Sequence, residues 1–483
     1  MYSFLISIAA LVLGYLVYGA FVDHVFGPDP SRKTPAITKA DGVDYIAMPT
    51  WKVYMIQFLN IAGTGPIFGA IMGAKFGPAS YLWIVLGCIF AGAVHDYMCG
   101  MLSVRHGGAT FPDLVGEYLG KRTKTVMLIF SIVLLLLVGT VFVYSPALIL
   151  GDIAGDGGRG SIMLWVGIIF LYYVVATLLP IDKLIGKVYP VFAVALLFMA
   201  AALMVCLFIK WPSLPEIWNG LGGWSEQAGL KHQPIFPCLF ITIACGAISG
   251  FHATQSPLMA RCIKNEKLGR PVFYGSMITE GLVALVWAAV SSWFFFSGGA
   301  QEVGSSLSAA APTVVTKVSE SWLGLFGGIL AILGVVAAPI TSGDTAFRSA
   351  RLIIADFLHL EQKGLLKRLW IAVPIFGASS LLLWYNIADA NGFNVIWRYF
   401  GWSNQALASF MLWTATVYLA LNKKGLSHLI TLLPSMFMTA VCVTFILIDK
   451  TGFGLPAVIA PWVGLGTFAV SGLLFAFWQY RRR

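Results

Sequence analysis

Charge is what this chain has least of. Asp, Glu, Lys and Arg make up 11% of its 483 residues, whereas a soluble globular chain carries roughly 25%. With 58% hydrophobic residues and a mean hydropathy of +0.83, this is the composition of a polytopic membrane protein. Long polar segments are missing too. The longest stretches between apolar runs, 25–50, 210–234, 298–320 and 343–366, leave no room for a soluble catalytic domain. Cysteine is sparse. Cys88, Cys99, Cys206, Cys238, Cys245, Cys262 and Cys442 form no C-x-x-C pair and lie mostly in apolar runs, so they read as small buried residues. No Gly-rich loop ending in Lys-Ser/Thr is present, which removes ATP-driven pumping, and no H-E-x-x-H is present, which removes the commonest zinc-hydrolase pattern. The net charge of +10 comes without a basic patch interleaved with aromatics, so nucleic acid is not an expected partner. No basic region precedes the first apolar run, Phe4 to Val22, and no small-residue cleavage site follows it, so it reads as a retained helix.

What the chain does have is apolar runs of membrane-crossing length, about thirteen of them. They fall at 3–24, 51–74, 79–104, 123–149, 161–180, 187–209, 235–260, 271–297, 321–342, 367–386, 402–421, 429–449 and 456–479. Two are interrupted by glycine-rich sequence, Ala62-Gly63-Thr64-Gly65-Pro66 and Cys245-Gly246-Ala247-Ile248-Ser249-Gly250. A break at membrane depth strands backbone N–H and C=O groups at several kcal/mol each. It survives only where protein, water, ion or substrate satisfies them. One such break in each half of a chain is the best sequence pointer to a secondary-transporter site.

With the N-terminus placed outside, 24 of the 31 Lys and Arg fall in inside segments. The positive-inside rule therefore predicts an N-out, C-in protein with an odd number of spans. Once the first helix (1–50 with its cytoplasmic loop) is set aside, residues 51–209 hold five spans beginning with a broken helix. Residues 235–421 hold five more, also beginning with a broken helix, and 429–483 supply two C-terminal helices and a basic tail. Five is odd, so the second unit is upside down relative to the first. That arrangement is an all-α, leucine-transporter-type five-plus-five inverted repeat. The spacing of Asp344 and Arg348, i and i+4 with the acid first, predicts a helical pair beyond the span at 321–342.

Depth arithmetic picks out two acids. Asp96 lies nine residues before Arg105 and Glu280 nine residues after Pro271, so each is about 13 Å from the inner surface of a core roughly 30 Å thick. The two spans are the second members of their repeats. Asp96 and Glu280 are therefore expected to approach each other, with His95 adjacent. Three readings of this set stand side by side: a proton-binding carboxylate pair, a structural cluster that locks the bundle, and a divalent-metal site of His95, Asp96 and Glu280. Gly63, Thr64, Gly65, Ser249, Gly250, His252, Thr254 and Gln255 lie in or beside the breaks and are the candidate substrate-binding residues. Lys187 reads either as a snorkelling anchor or as a stand-in for a coupling cation. Asn404 and Gln405 are expected at an outer vestibule, beside an interfacial belt of Trp397, Tyr399 and Trp402.

The strings NIAGTGPIFGAIMGAKFGP, GCIFAGAVHDYMCGMLSVRHGG, PITSGDTAFRSARLIIAD and WRYFGWSNQALA closely resemble the carbon starvation protein A (CstA) family from about residue 50 to about residue 410. The resemblance implies a nutrient carrier of the bacterial or archaeal plasma membrane, with short peptides as the first expected substrate and pyruvate the second. It implies a coupling proton, with sodium as the alternative, and no organic cofactor. Folds of this type bind sodium between the first broken helix and hydroxyls such as Ser342, which follows Thr341 at the end of the eighth core helix. The chain is shorter than the longer members, which carry further C-terminal helices.

Overall fold

The computed structural model describes residues 1–154, 158–178, 185–230, 233–362, 364–388, 392–423 and 425–482. The side chains at 153–154, 185–188, 325–327, 330–331 and 392–394 lie outside that description. Lys187 falls among them. The described residues are helical, with no strand among them.

Sixteen helices carry the architecture. They are α1 (Tyr2–Phe26), α2 (Thr50–Ile61), α3 (Gly65–Ala74) and α4 (Ala79–Arg105), α5 (Phe111–Leu119), α6 (Lys121–Ala154), α7 (Arg159–Leu178), α8 (Ile185–Lys210), α9 (Ile235–Thr242) and α10 (Phe251–Ala260), and α11 (Glu266–Phe296). There follow α12 (Ala311–Phe357), α13 (Leu365–Ala388), α14 (Gly392–Asn422) and α15 (Leu429–Ile448), and α16 (Ala457–Arg482). Nine of the described helices are long and apolar enough to cross a membrane, ten if α2 and α3 count as one bent span. The protein is a multi-pass membrane protein.

Burial sorts the helices into centre and rim. Over their most apolar stretches α4 and α11 are 83% and 89% buried, whereas α7 and α16 are 28% and 17%. The two most enclosed of these four carry Asp96 and Glu280. A lipid-facing helix can be apolar all round and still be satisfied by hydrocarbon. A central one has to fit against protein, which is why α4 and α11 lean on small residues and Met (Ala91, Gly92, Ala93, Gly100; Gly275, Met277, Gly281). The halves of the broken helices sit among them: α10 packs on α4 and α2, and α11 on α2 and α3. α12 runs between α6 and α8 and is interrupted at Gly324, whose φ of 64° a side-chain-bearing residue rarely adopts. The helical stretch expected to carry Asp344 and Arg348 is present as the last part of α12, which runs on to Phe357.

On one face of the bundle, the 27–49 segment is laid over the helix ends. Thr34 donates its hydroxyl to Ile263 O at 2.6 Å, and Met48 N–H bonds Cys262 O at 3.2 Å. Arg105 Nη2 bonds Gly27 O at 2.7 Å and stands 3.2 Å from Glu266 Oε2. Glu266 Oε2 in turn accepts from Asp29 N–H at 2.8 Å. Arg261 pairs with Asp356 at 3.1 Å.

Candidate functional site

The first break follows from local chemistry. Pro66 has no N–H to continue a helix, and Ala62 sits at φ −81°, ψ 63°. The chain bends by 54° between α2 and α3. The second break is longer, from Ile243 to Gly250. The two breaks touch, since a Cβ built on Gly65 would overlap Cys245, and the second break also meets α14, since a Cβ built on Gly250 would overlap the Asn404 carbonyl. At both positions glycine is required because another backbone or side chain already occupies the space.

Protein groups satisfy much of the stranded backbone. Asn404 Oδ1 accepts from Phe251 N–H at 2.6 Å and from Ser249 Oγ at 3.0 Å, and Asn404 O accepts from Gly250 N–H at 3.1 Å. Gln405 Nε2 donates to Phe240 O at 2.8 Å, and Trp83 Nε1 to Ile243 O at 3.0 Å. At the first break Ser342 Oγ donates to Leu59 O at 2.7 Å. Asn404 and Gln405 are thus fully buried braces of the second break, not vestibule residues as expected. An amide side chain holds both donors and acceptors, so it can serve either end of a broken helix.

Next to the second break lies a file of four ionisable side chains, all fully buried. His95 Nδ1 is 2.8 Å from Asp96 Oδ1. Asp96 Oδ2 is 2.9 Å from His252 Nδ1. His252 Nε2 is 3.4 Å from Glu280 Oε2. Neither Glu280 oxygen has a hydrogen-bond partner among the described residues, and neither does His95 Nε2. His252, assigned from sequence to the substrate set, stands between the two carboxylates that were expected to approach each other. Among the described residues no group of three or more His, Cys, Asp or Glu is arranged to hold a metal ion. Each imidazole offers one nitrogen to Asp96, and the other nitrogen of His252 faces Glu280 at ion-pair distance, without a hydrogen bond; imidazoles and carboxylates are side chains that take up and release protons.

The remaining candidates divide. Thr254 donates to Phe251 O at 2.6 Å. Gln255 Nε2 donates to Thr254 Oγ1 at 2.8 Å and Ser349 Oγ at 3.3 Å. Thr64 Oγ1 is buried without a partner among the described residues, and Gly63 packs under Phe142. Asp344 accepts from Tyr189 OH at 2.9 Å. Arg348 donates to Ala176 O at 2.8 Å and stands 3.6 Å from Asp44, so the i,i+4 partners each serve other helices. Two residues escaped the sequence reading: Asn404 as a brace, and Asn60, fully buried one residue before the end of α2. A carboxamide beside a helix break was the available signal for Asn60.

The family model for carbon starvation protein CstA matches residues 1–154, 159–321 and 294–445. An uncharacterized membrane protein of Haemophilus influenzae is 46% identical over 336 residues, covering 60% of this chain and 91% of that protein. The peptide transporter CstA of Campylobacter jejuni is 28% identical, covering 90% of this chain and 78% of its own length. The pyruvate/proton symporter BtsT of Escherichia coli is 24% identical, covering 91% and 80%. Among solved structures, the manganese transporter of Eremococcus coleocola, crystallised with an aromatic bis-isothiourea substituted compound, superposes with a TM-score of 0.56 at 13% identity, covering 92% of this chain and 99% of that one. At that identity the likeness is one of fold.

Proposed function

Because the chain belongs to the carbon starvation protein CstA family, we propose that it is a proton-coupled secondary transporter, not an enzyme, taking up short peptides across a bacterial plasma membrane. The observation that carries this reading is the position of His252. It lies in the first turn of α10, the half-helix beyond the second break, and bridges Asp96 on α4 to Glu280 on α11. A proton gained or lost on the file changes what holds α10 in place, so charge and break geometry are tied. Ion-binding side chains in membranes sit where burial is most costly and function repays it.

In this reading α9 with α10, α12 and α14 join the ten spans above to make thirteen. Residues 51–209 and 235–421 form the two inverted repeats, between the helix of 1–50 and the pair of 429–483. The Lys/Arg distribution puts the N-terminus outside, so the 27–49 segment covers the cytoplasmic face. Gly63, Thr64, Gly65, Ser249, Gly250, Thr254 and Gln255 line the region where free backbone groups and hydroxyls meet a substrate carboxylate or amine. His95, Asp96, His252 and Glu280 carry the coupling proton.

A second reading is pyruvate as substrate, favoured by the relative named as a pyruvate/proton symporter. Sodium coupling through Ser342 is the alternative for the ion. Uptake of labelled dipeptide and of labelled pyruvate into proteoliposomes, under an imposed proton or sodium gradient, separates these. Proton-driven dipeptide uptake supports the proposal. Uptake driven only by sodium transfers the coupling site to Ser342 and the first break.

A further inference from the structure

Asn60 is fully buried, and neither Oδ1 nor Nδ2 of its carboxamide has a hydrogen-bond partner among the described residues. Native interiors pair nearly all such atoms, and leaving one unpaired costs about 1–3 kcal/mol. Nearby amides do not share the problem to this extent: Gln57 reaches Ser256 at 3.1 Å, Gln255 reaches two hydroxyls, and Asn404 and Gln405 brace backbone. Thr64 Oγ1, just past the break, is also unpaired among the described residues.

The placement of Asn60 follows from two contacts. Gln57 meets Ser256, and Gly65 meets Cys245. As the number rises along the first broken helix, it falls along the second, so the two run antiparallel. Interpolating between those contacts sets Asn60 level with His252. On α2, residues 57 and 60 share a face at i and i+3, and the Gln57–Ser256 bond turns that face towards α10. Asn60 therefore sits on the α10-facing side of α2, at the height of the His252 bridge.

Deepening the transporter reading, on which it rests, we infer that Asn60 is a substrate-recognition residue whose carboxamide pairs with the N–H and the C=O of one residue of a peptide, which point the same way in an extended chain, unlike the opposed C=O and N–H of a single trans peptide unit. Oδ1 accepts from that residue's peptide N–H, and Nδ2 donates to its carbonyl oxygen, in dialanine an oxygen of the C-terminal carboxylate. A 2-oxo acid has only acceptors and leaves Oδ1 unpaired. A site built to hydrogen-bond an N–H rejects an analogue lacking it far more strongly than a size mismatch does. Asn60 thus selects peptides over pyruvate, and it does so beside the proton file.

The test is equilibrium binding of labelled dialanine to the purified full-length protein, with no gradient, so that it does not depend on coupling. The wild type is compared with Asn60→Asp, which keeps the shape but loses the donor, and with Asn60→Leu. Each is also measured with the dipeptide N-methylated at its peptide nitrogen. The expected result is dialanine binding about tenfold weaker or worse in both variants. N-methylation should weaken binding to the wild type but cost little further in Asn60→Leu. If Asn60→Leu fails to fold, Asn60→Asp carries the comparison, since it is nearly isosteric. Wild-type affinity for dialanine in the variants, or an N-methyl penalty unchanged in Asn60→Leu, overturns the assignment while leaving the transporter reading intact. A wild type that binds pyruvate and no dipeptide overturns both the assignment and the peptide reading.

Discussion

Asn404 holds the backbone N–H of Phe251 at 2.6 Å, so a side chain on α14 caps the half-helix that carries His252. The first N–H groups of a helix have no partner within it, and in the membrane interior water is not there to serve. Replacing Asn404 with Leu strands that N–H and the Ser249 hydroxyl together. The expected loss is about 2–4 kcal/mol, from two groups at about 1–2 kcal/mol each, seen as a lower melting temperature in detergent. Asn404→Asp keeps an acceptor at this position and is expected to retain more stability than Asn404→Leu. Equal melting of the two variants would show that the cap contributes nothing.

Glu280→Gln removes the titratable oxygen at one end of the file while keeping its size. If the file carries the coupling proton, gradient-driven uptake falls at least tenfold, and exchange of dipeptide across the membrane without a gradient persists. That split matters because a merely structural Glu280 would lower both together. His252→Gln is expected to show the same split with a further loss of exchange, since His252 belongs to α10 itself. Uptake in Glu280→Gln at the wild-type rate, with the wild-type dependence on the proton gradient, would make the set a structural cluster.

The contact between the breaks is steric and can be tested by size alone. A methyl group on Gly65 would overlap Cys245, 2.2 Å from its Sγ and 2.3 Å from its Cβ. Overpacking of this kind costs about 1–3 kcal/mol. Gly65→Ala is expected to lower both thermal stability and uptake. Because Cβ and Sγ of residue 245 are the atoms in the way, Cys245→Gly is expected to restore part of both in the double variant. An additive double variant would mean that the backbone moves apart instead.

Much of this was readable because helices are regular. A constant rise per residue let Asp96 and Glu280 be set at one depth from Arg105 and Pro271, and glycine clusters inside apolar runs marked where α2 and α9 stop. Azimuth was not readable. Which residue of α10 turns towards α4 depends on how an interrupted helix resumes after eight residues of irregular backbone, so His252 was read beside the second break, among the substrate-binding candidates, rather than between the two acids. Asn404 was misplaced for a related reason: its partners Ser249 and Phe251 lie some 150 residues away along the chain, and nothing local to WSNQ distinguishes a brace from a vestibule residue. Asp344 and Arg348 show the limit of spacing rules. An i,i+4 pair offers at most a few tenths of a kcal/mol, and Tyr189 and Asp44, on other segments, compete for the same groups.

The closure of the face covered by residues 27–49 rests on buried charge. Asp44 is 4% exposed and lies 3.6 Å from both Arg348 and Arg351, two guanidinium groups on α12 that are themselves fully buried. Removing one member of such a set leaves charge buried without its counterion, a loss of about 3–5 kcal/mol when the structure cannot relax. Here relaxation is available, because the acid is on a loop: if the 27–49 segment lifts, the arginines reach water. Asp44→Asn is therefore expected to open this face in part rather than unfold the bundle. Cys262 reports on it, being fully buried beneath Met48, whose N–H bonds the Cys262 carbonyl. In a background with the other cysteines replaced, maleimide labelling of Cys262 is expected to be at least several-fold faster in Asp44→Asn than with Asp44 intact, at a nearly unchanged melting temperature. A lower melting temperature with unchanged labelling would make Asp44 a fixed structural counterion and the segment a permanent cover.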